Sequence, residues 1–159
     1  MHKDSQGFER SFALTDLAAT DALGARIAAC LQVGDAVALE GDLGAGKTTL
    51  ARAILRALGV AETVPSPTFT LVQTYDTPRM AVRHFDLYRV TDSAELDELG
   101  LDEALDEGAA LIEWPERAGT RLPQDALHVS LVSDKDGRRA RLSASGHWAD
   151  LLAEDAHVR

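Results

Sequence analysis

The sequence contains no asparagine, a single cysteine and only three lysines, and each scarcity excludes something. A lone Cys30 permits neither an intramolecular disulfide nor a Cys-based zinc site, and its place in an apolar helical stretch marks it as a packing residue. Without asparagine the guanine-reading pattern Asn-Lys-x-Asp cannot be written, so any nucleotide site in this chain is expected to take adenine rather than guanine. No apolar run approaches the ~18 residues of a membrane span, and Met1 to Gln6 lacks the apolar core of a secretory leader, so a cytoplasmic protein with no membrane contact is expected. Repeats, low-complexity tracts and long Pro/Gly/Ser linkers are also missing. With 159 residues, 45% of them hydrophobic, residues 1–159 are therefore expected to form one domain with a sizeable core.

Positive charge is scarce in one place above all. The chain has 16 Lys+Arg against 26 Asp+Glu, a net charge of −10. Ten of the carboxylates (Asp92, Glu95, Asp97, Glu98, Asp102, Glu103, Asp106, Glu107, Glu113, Glu116) fall between Arg89 and Arg117 with no basic residue among them. Such a field repels phosphate backbones, so autonomous binding of RNA or DNA is disfavoured and a partner with a basic surface suits the chain better. The Leu-rich acidic stretch over 92–107 reads first as a solvated helix face, with partner docking as the alternative.

What is present alternates between strand and helix patterns. Phe8 to Leu14 reads as an edge strand. Thr20 is a candidate cap for a helix carrying Leu23, Ile27 and Leu31, ended by Gly34. Ala36 to Leu39 has the look of a buried strand, and the spacing of Leu50, Ile54 and Leu58 predicts a helix from Lys47 to Leu58. Val64-Pro65-Ser66-Pro67-Thr68 is expected to be an extended loop. An antiparallel pair is expected over Thr70–Tyr75 and Val82–Tyr88. Asp92 with Glu95 resembles a capping box, opening a helical stretch broken near Gly100. Ala109 to Trp114 should form a buried parallel strand, Leu127–Val132 and Arg138–Ser143 a hairpin, and Trp148 to Leu152 a short closing helix. The class is α/β.

Gly41-Asp42-Leu43-Gly44-Ala45-Gly46-Lys47-Thr48 satisfies G-x-x-x-x-G-K-[ST], and it follows an expected strand and opens an expected helix. The chemistry explains the residue types. Glycines let backbone N–H groups converge on phosphate oxygens, Lys47 reaches the β- and γ-phosphates, and the Thr48 hydroxyl can ligate Mg²⁺. A triphosphate site also needs carboxylates at the end of a strand beside this loop, and Asp86 and Glu113 qualify. The bland alternatives are an Asp86 pair with Arg89 and Glu113 capping the turn that follows it. Alternation puts His84 on the face of Asp86, where a supporting or structural role is favoured over direct chemistry. Thr68 has the position of a switch threonine or of an ordinary loop hydroxyl. Trp114 is either a core anchor or part of the site, and Arg138, Arg139 and Arg141 are possible stacking partners for a base.

Four segments then resemble one family: Gly41 to Thr49, Ser66-Pro67-Thr68-Phe69, His84-Phe85-Asp86-Leu87-Tyr88-Arg89 and Leu111-Ile112-Glu113-Trp114-Pro115-Glu116. In order and spacing, from about residue 15 to 132, they are similar to TsaE (YjeE), the bacterial ATPase of tRNA threonylcarbamoyladenosine synthesis. The resemblance implies a single P-loop NTPase-like domain with a mixed sheet flanked by helices, and a weak ATPase that depends on the TsaB–TsaD complex and meets tRNA only indirectly. It further implies ATP and Mg²⁺ as cofactors. Lys47 would hold the phosphates, Thr48 and Glu113 would bind Mg²⁺, and Asp86 would serve metal binding or hydrolysis. Nucleotide contacts would come from Gly41, Asp42, Leu43, Gly44, Ala45, Gly46, Lys47, Thr48 and Thr49, with Thr68 in the nucleotide-sensing loop. A small-molecule kinase and a regulatory module that works by occupancy alone are the competing readings. The first is disfavoured by the absence of arginine from 92–107, where a lid would sit.

Overall fold

The computed structural model describes residues 8–42, 44–61, 71–92, 94–134, 137–144 and 146–148. Seven strands form one mixed sheet: β1 (Phe8–Leu14), β2 (Ala36–Glu40), β3 (Val72–Asp76), β4 (Ala81–Asp86), β5 (Gly108–Glu113), β6 (Leu127–Asp134) and β7 (Gly137–Ala144), in the order β1-β7-β6-β2-β5-β4-β3. The four inner strands β6, β2, β5 and β4 run parallel, and antiparallel partners close both sides.

Burial on both faces explains why β2 and β5 read as unbroken apolar runs. Val37, Leu39, Ala109 and Leu111 point into a core beneath α1 (Leu17–Cys30) and α2 (Lys47–Ala57). Ala36, Ala110 and Ile112 point the other way, into a core under α3 (Glu95–Leu99), α4 (Leu101–Glu107) and a 3-10 segment over Pro115–Arg121. The mixed sheet with helices on its faces is the architecture expected. The crossover through α3 and α4 returns β5 parallel to β4, and Gly100 divides the two helices in a left-handed conformation at φ 83°.

Several boundaries differ from the expectations. Thr20 does not cap α1: the helix begins at Leu17, Asp16 accepts from the Ala19 N–H at 2.9 Å, and Thr20 is buried inside the first turns. Asp92 and Glu95 do not form a capping box. Asp92 Oδ1 instead accepts from the Ala94 N–H at 3.0 Å, and the Glu95 side chain turns back to the Thr91 hydroxyl. β4 stops at Asp86: the Leu87 N–H makes the last ladder bond, to Glu113 O, and the chain then enters a turn closed by the Val90 N–H on Leu87 O, while β5 stops at Glu113, because Trp114 takes φ 61°. Residues 62–70, with Thr68 and the Pro65 and Pro67 loop, lie outside the described residues. So do the hairpin tip at 135–136 and, beyond Trp148, the expected closing helix.

Candidate nucleotide site

The site is assembled by register. Leu39 of β2 pairs with Glu113 of β5, and Glu113 pairs with Asp86 of β4, so three parallel strands end at one level. The phosphate-loop motif leaves β2 at that same edge and turns into α2, which is where open α/β sheets hold ligands. Gly46 makes the turn at φ 109°, a conformation that costs a residue with a Cβ, and Leu50 closes the first helical bond onto its carbonyl at 2.9 Å.

Lys47, the first residue of α2, is nearly buried. Its ammonium donates to Gly41 O at 2.6 Å and Asp42 O at 3.0 Å, and lies 4.3 Å from the centre of the Trp114 ring. Trp114 is held in the left-handed region, the only residue besides glycine to be so among the described residues, at a cost of about 1–2 kcal/mol. Its ring is also flanked by Tyr88 at 4.9 Å. Trp114 thus meets both alternatives, packing against the core under α3 and α4 while its ring faces the phosphate-loop lysine.

One carboxylate oxygen gathers the rest. Glu113 Oε2 accepts from the Thr48 hydroxyl at 2.8 Å and lies 2.7 Å from His84 Nε2. Glu113 is buried and His84 completely so, and His84 Nδ1 has no hydrogen-bond partner among the described residues. The ring meets Glu113 through Nε2, the geometry that a supporting role would use. Asp86 sits alongside, its Oδ1 accepting from the Tyr88 N–H at 3.1 Å. Its pKa is raised, first by burial and then by the neighbouring Glu113 charge, against the lowering pull of the Tyr88 hydrogen bond and of the His84 and Lys47 charges.

Gly44, Gly46, Lys47, Thr48 and Thr49 line one face of a cavity of about 270 Å³, and Asp86, Tyr88, Glu113, Trp114 and Arg138 line the other. Gly41, Asp42 and Ala45 line a second cavity, of about 520 Å³, between the loop and β6. Leu43 and Thr68 lie outside the described residues. The candidates thus converge around one loop. Tyr88 joins them, and although it lies in one of the segments that carry the resemblance, periodicity does not single it out. It follows Asp86 by two positions, but the strand ends at Asp86, so alternation gives no guide to where it points.

The donors fit magnesium. Among the described residues no group of three His, Cys, Asp or Glu side chains could hold a metal by itself. Magnesium does not ask for such a cage, since it takes one or two carboxylates and completes its shell with substrate phosphates and water. Thr48, Glu113 and Asp86 could supply that partial set, and a divalent cation between them would relieve the repulsion that the Glu113 charge exerts on the Asp86 carboxylate.

Residues 14–141 match the family described as Threonylcarbamoyl adenosine biosynthesis protein TsaE. The tRNA threonylcarbamoyladenosine biosynthesis protein TsaE of Bacillus subtilis (strain 168) is 37% identical over 138 residues, which covers 86% of each chain. Its counterpart in Rickettsia bellii (strain RML369-C) is 43% identical over 113 residues, 70% of this chain and 78% of that one. The crystal structure of Bacillus subtilis YdiB superposes with a TM-score of 0.76 at 30% identity, covering 99% of this chain and 97% of the other. A family match across most of the chain, relatives of this likeness and a shared fold together show that the chain belongs to the TsaE family.

Proposed function

We propose that residues 1–159 act as one Mg²⁺-dependent ATPase domain in tRNA threonylcarbamoyladenosine biosynthesis, a cytoplasmic subunit that is weak alone and switches the TsaB–TsaD complex by hydrolysing ATP. The observation that carries the reading is the 2.8 Å hydrogen bond from Thr48 to Glu113, which joins the helix after the phosphate loop to a carboxylate at the end of β5. Magnesium, when bound, would neutralise charge on the β- and γ-phosphates and leave Thr48 and Glu113 among its holders. Lys47 exchanges the Gly41 and Asp42 carbonyls for phosphate oxygens, since an ammonium held by two backbone acceptors gains more from an anion. Asp86, with its raised proton affinity, receives a hydrogen bond from the attacking water and orients it. Water oxygen bonds to the γ-phosphorus, the bond to the bridging oxygen breaks, and ADP and phosphate leave. Lys47 then returns to its carbonyls, and Thr68 loses the γ-phosphate it senses.

ATP is preferred to GTP in this reading because the chain has no asparagine for a guanine-reading motif. Membrane attachment is not called for, and no helix among the described residues is long and apolar enough to cross one. The test is phosphate release by the purified chain, alone and with TsaB–TsaD, beside Lys47→Ala. Stimulation by the complex is expected, with a loss of about a hundredfold or more in the variant. Equal rates with and without the complex would overturn the switch.

A further inference from the structure

Arg138 stands at the phosphate loop with its charge uncommitted. It is the second residue of β7, in register with Ser133 and Leu14, and shares the sheet face of Ala140 and Leu142, the side covered by α1 and α2. Being at the strand's end, it reaches past the core to the loop. Its Nη2 lies 3.5 Å from Gly44 O, and its Nη1 lies 3.4 Å from where a Cβ on Gly46 would sit. A bond that long to a neutral carbonyl is at the weak limit of hydrogen bonding. Arg56, Arg83 and Arg121 each pair with a carboxylate, of Asp21, Glu107 and Asp97. Arg138 pairs with none among the described residues, although the chain carries a surplus of carboxylates.

Resting on the ATP reading, we infer that Arg138 is a second phosphate-binding cation, gripping the nucleotide's polyphosphate from the β7 side of the loop while Lys47 holds it from below. Lys47 and a divalent cation leave part of a triphosphate's negative charge unbalanced, and a guanidinium supplies both charge and a two-pronged donor set that matches phosphate oxygens. Position separates this role from base stacking. The guanidinium lies against Gly44 and Gly46, within the loop whose N–H groups converge on phosphates, and it shares its cavity with Lys47, Thr48 and Thr49. Arg139, next in sequence, points to the opposite face of the sheet.

Titration calorimetry without added metal, using ATP and inorganic tripolyphosphate as separate ligands, tests this on the full chain. Arg138→Ala is expected to weaken both ligands by the same factor, about tenfold. Arg139→Ala should leave both unchanged. The Arg138 side chain is exposed, so the variant should melt with the parent. If Arg138→Ala weakens ATP but not tripolyphosphate, the residue meets the base and the inference is overturned. Unchanged binding of both would also overturn it while leaving the ATP reading intact. A parent chain that binds neither ligand would sink the two together.

Discussion

Glu113 Oε2 is the junction of the site, because a hydroxyl from α2 and an imidazole from β4 converge on a single oxygen. Asp86, next to it, is the residue whose cost can be measured. Below the ordinary carboxylate value of 3.8 its side chain is protonated in folded and unfolded chains alike and does not affect the balance. As pH rises, the unfolded chain gives up this proton first, so the folded chain binds more protons and stability falls until the folded group ionises as well; above that point the penalty is constant. Asp86→Asn keeps an oxygen to accept from the Tyr88 N–H and removes the penalty. In buffer without divalent cations the variant should therefore melt higher than the parent at neutral pH, and the difference should vanish below pH 3.8. A variant that melts lower at neutral pH would mean that the pocket stabilises the ionised carboxylate, the opposite of a raised pKa.

Elements reach the site only if the strands approach closely, and Gly108 shows how closely. A Cβ at this first position of β5 would lie 1.7 Å from Ala81 O on the paired strand β4. No rotamer relieves a clash with backbone, so Gly108→Ala must push apart the strands that carry Asp86 and Glu113. The expected cost is roughly 3 kcal/mol, read from denaturant unfolding, and an unchanged midpoint would refute the close approach. Much of this frame is legible in the sequence. β2 and β5 are plain because burial on both faces leaves a polar residue only at the last position of each, and the loop glycines are plain because they follow the spacing of a phosphate-loop motif. Local competition hides the rest. Asp16 and Thr20 are both good caps, and which one reaches a free N–H depends on where the chain leaves β1. Trp114 continues the apolar run of β5, so nothing local announces that it turns to φ 61° to meet Lys47. The Thr48 to Glu113 bond spans 65 residues, and although both are candidates by sequence, only the β2 and β5 pairing brings them together.

Charge is the property that belongs to the molecule as a whole. The excess of ten carboxylates equals the number found between Arg89 and Arg117, and the remainder of the chain is balanced. That segment includes α3 and α4, where Asp97, Glu98, Asp102, Glu103, Asp106 and Glu107 are exposed and, among the described residues, only Asp97 and Glu107 pair with an arginine. An acidic face of this kind works over about a Debye length, roughly 8–10 Å at physiological salt, and a phosphate backbone approaching it is repelled before any contact forms. In the function proposed above, the holding of tRNA falls to a partner rather than to this chain. The isolated chain is accordingly expected to retain no tRNA in filter binding at about 0.15 M salt. Lowering the salt should not rescue binding, because weaker screening strengthens the repulsion as well. Micromolar retention that grows as salt falls would show that a basic surface outweighs the acidic one, and would place this chain in direct contact with the nucleic acid.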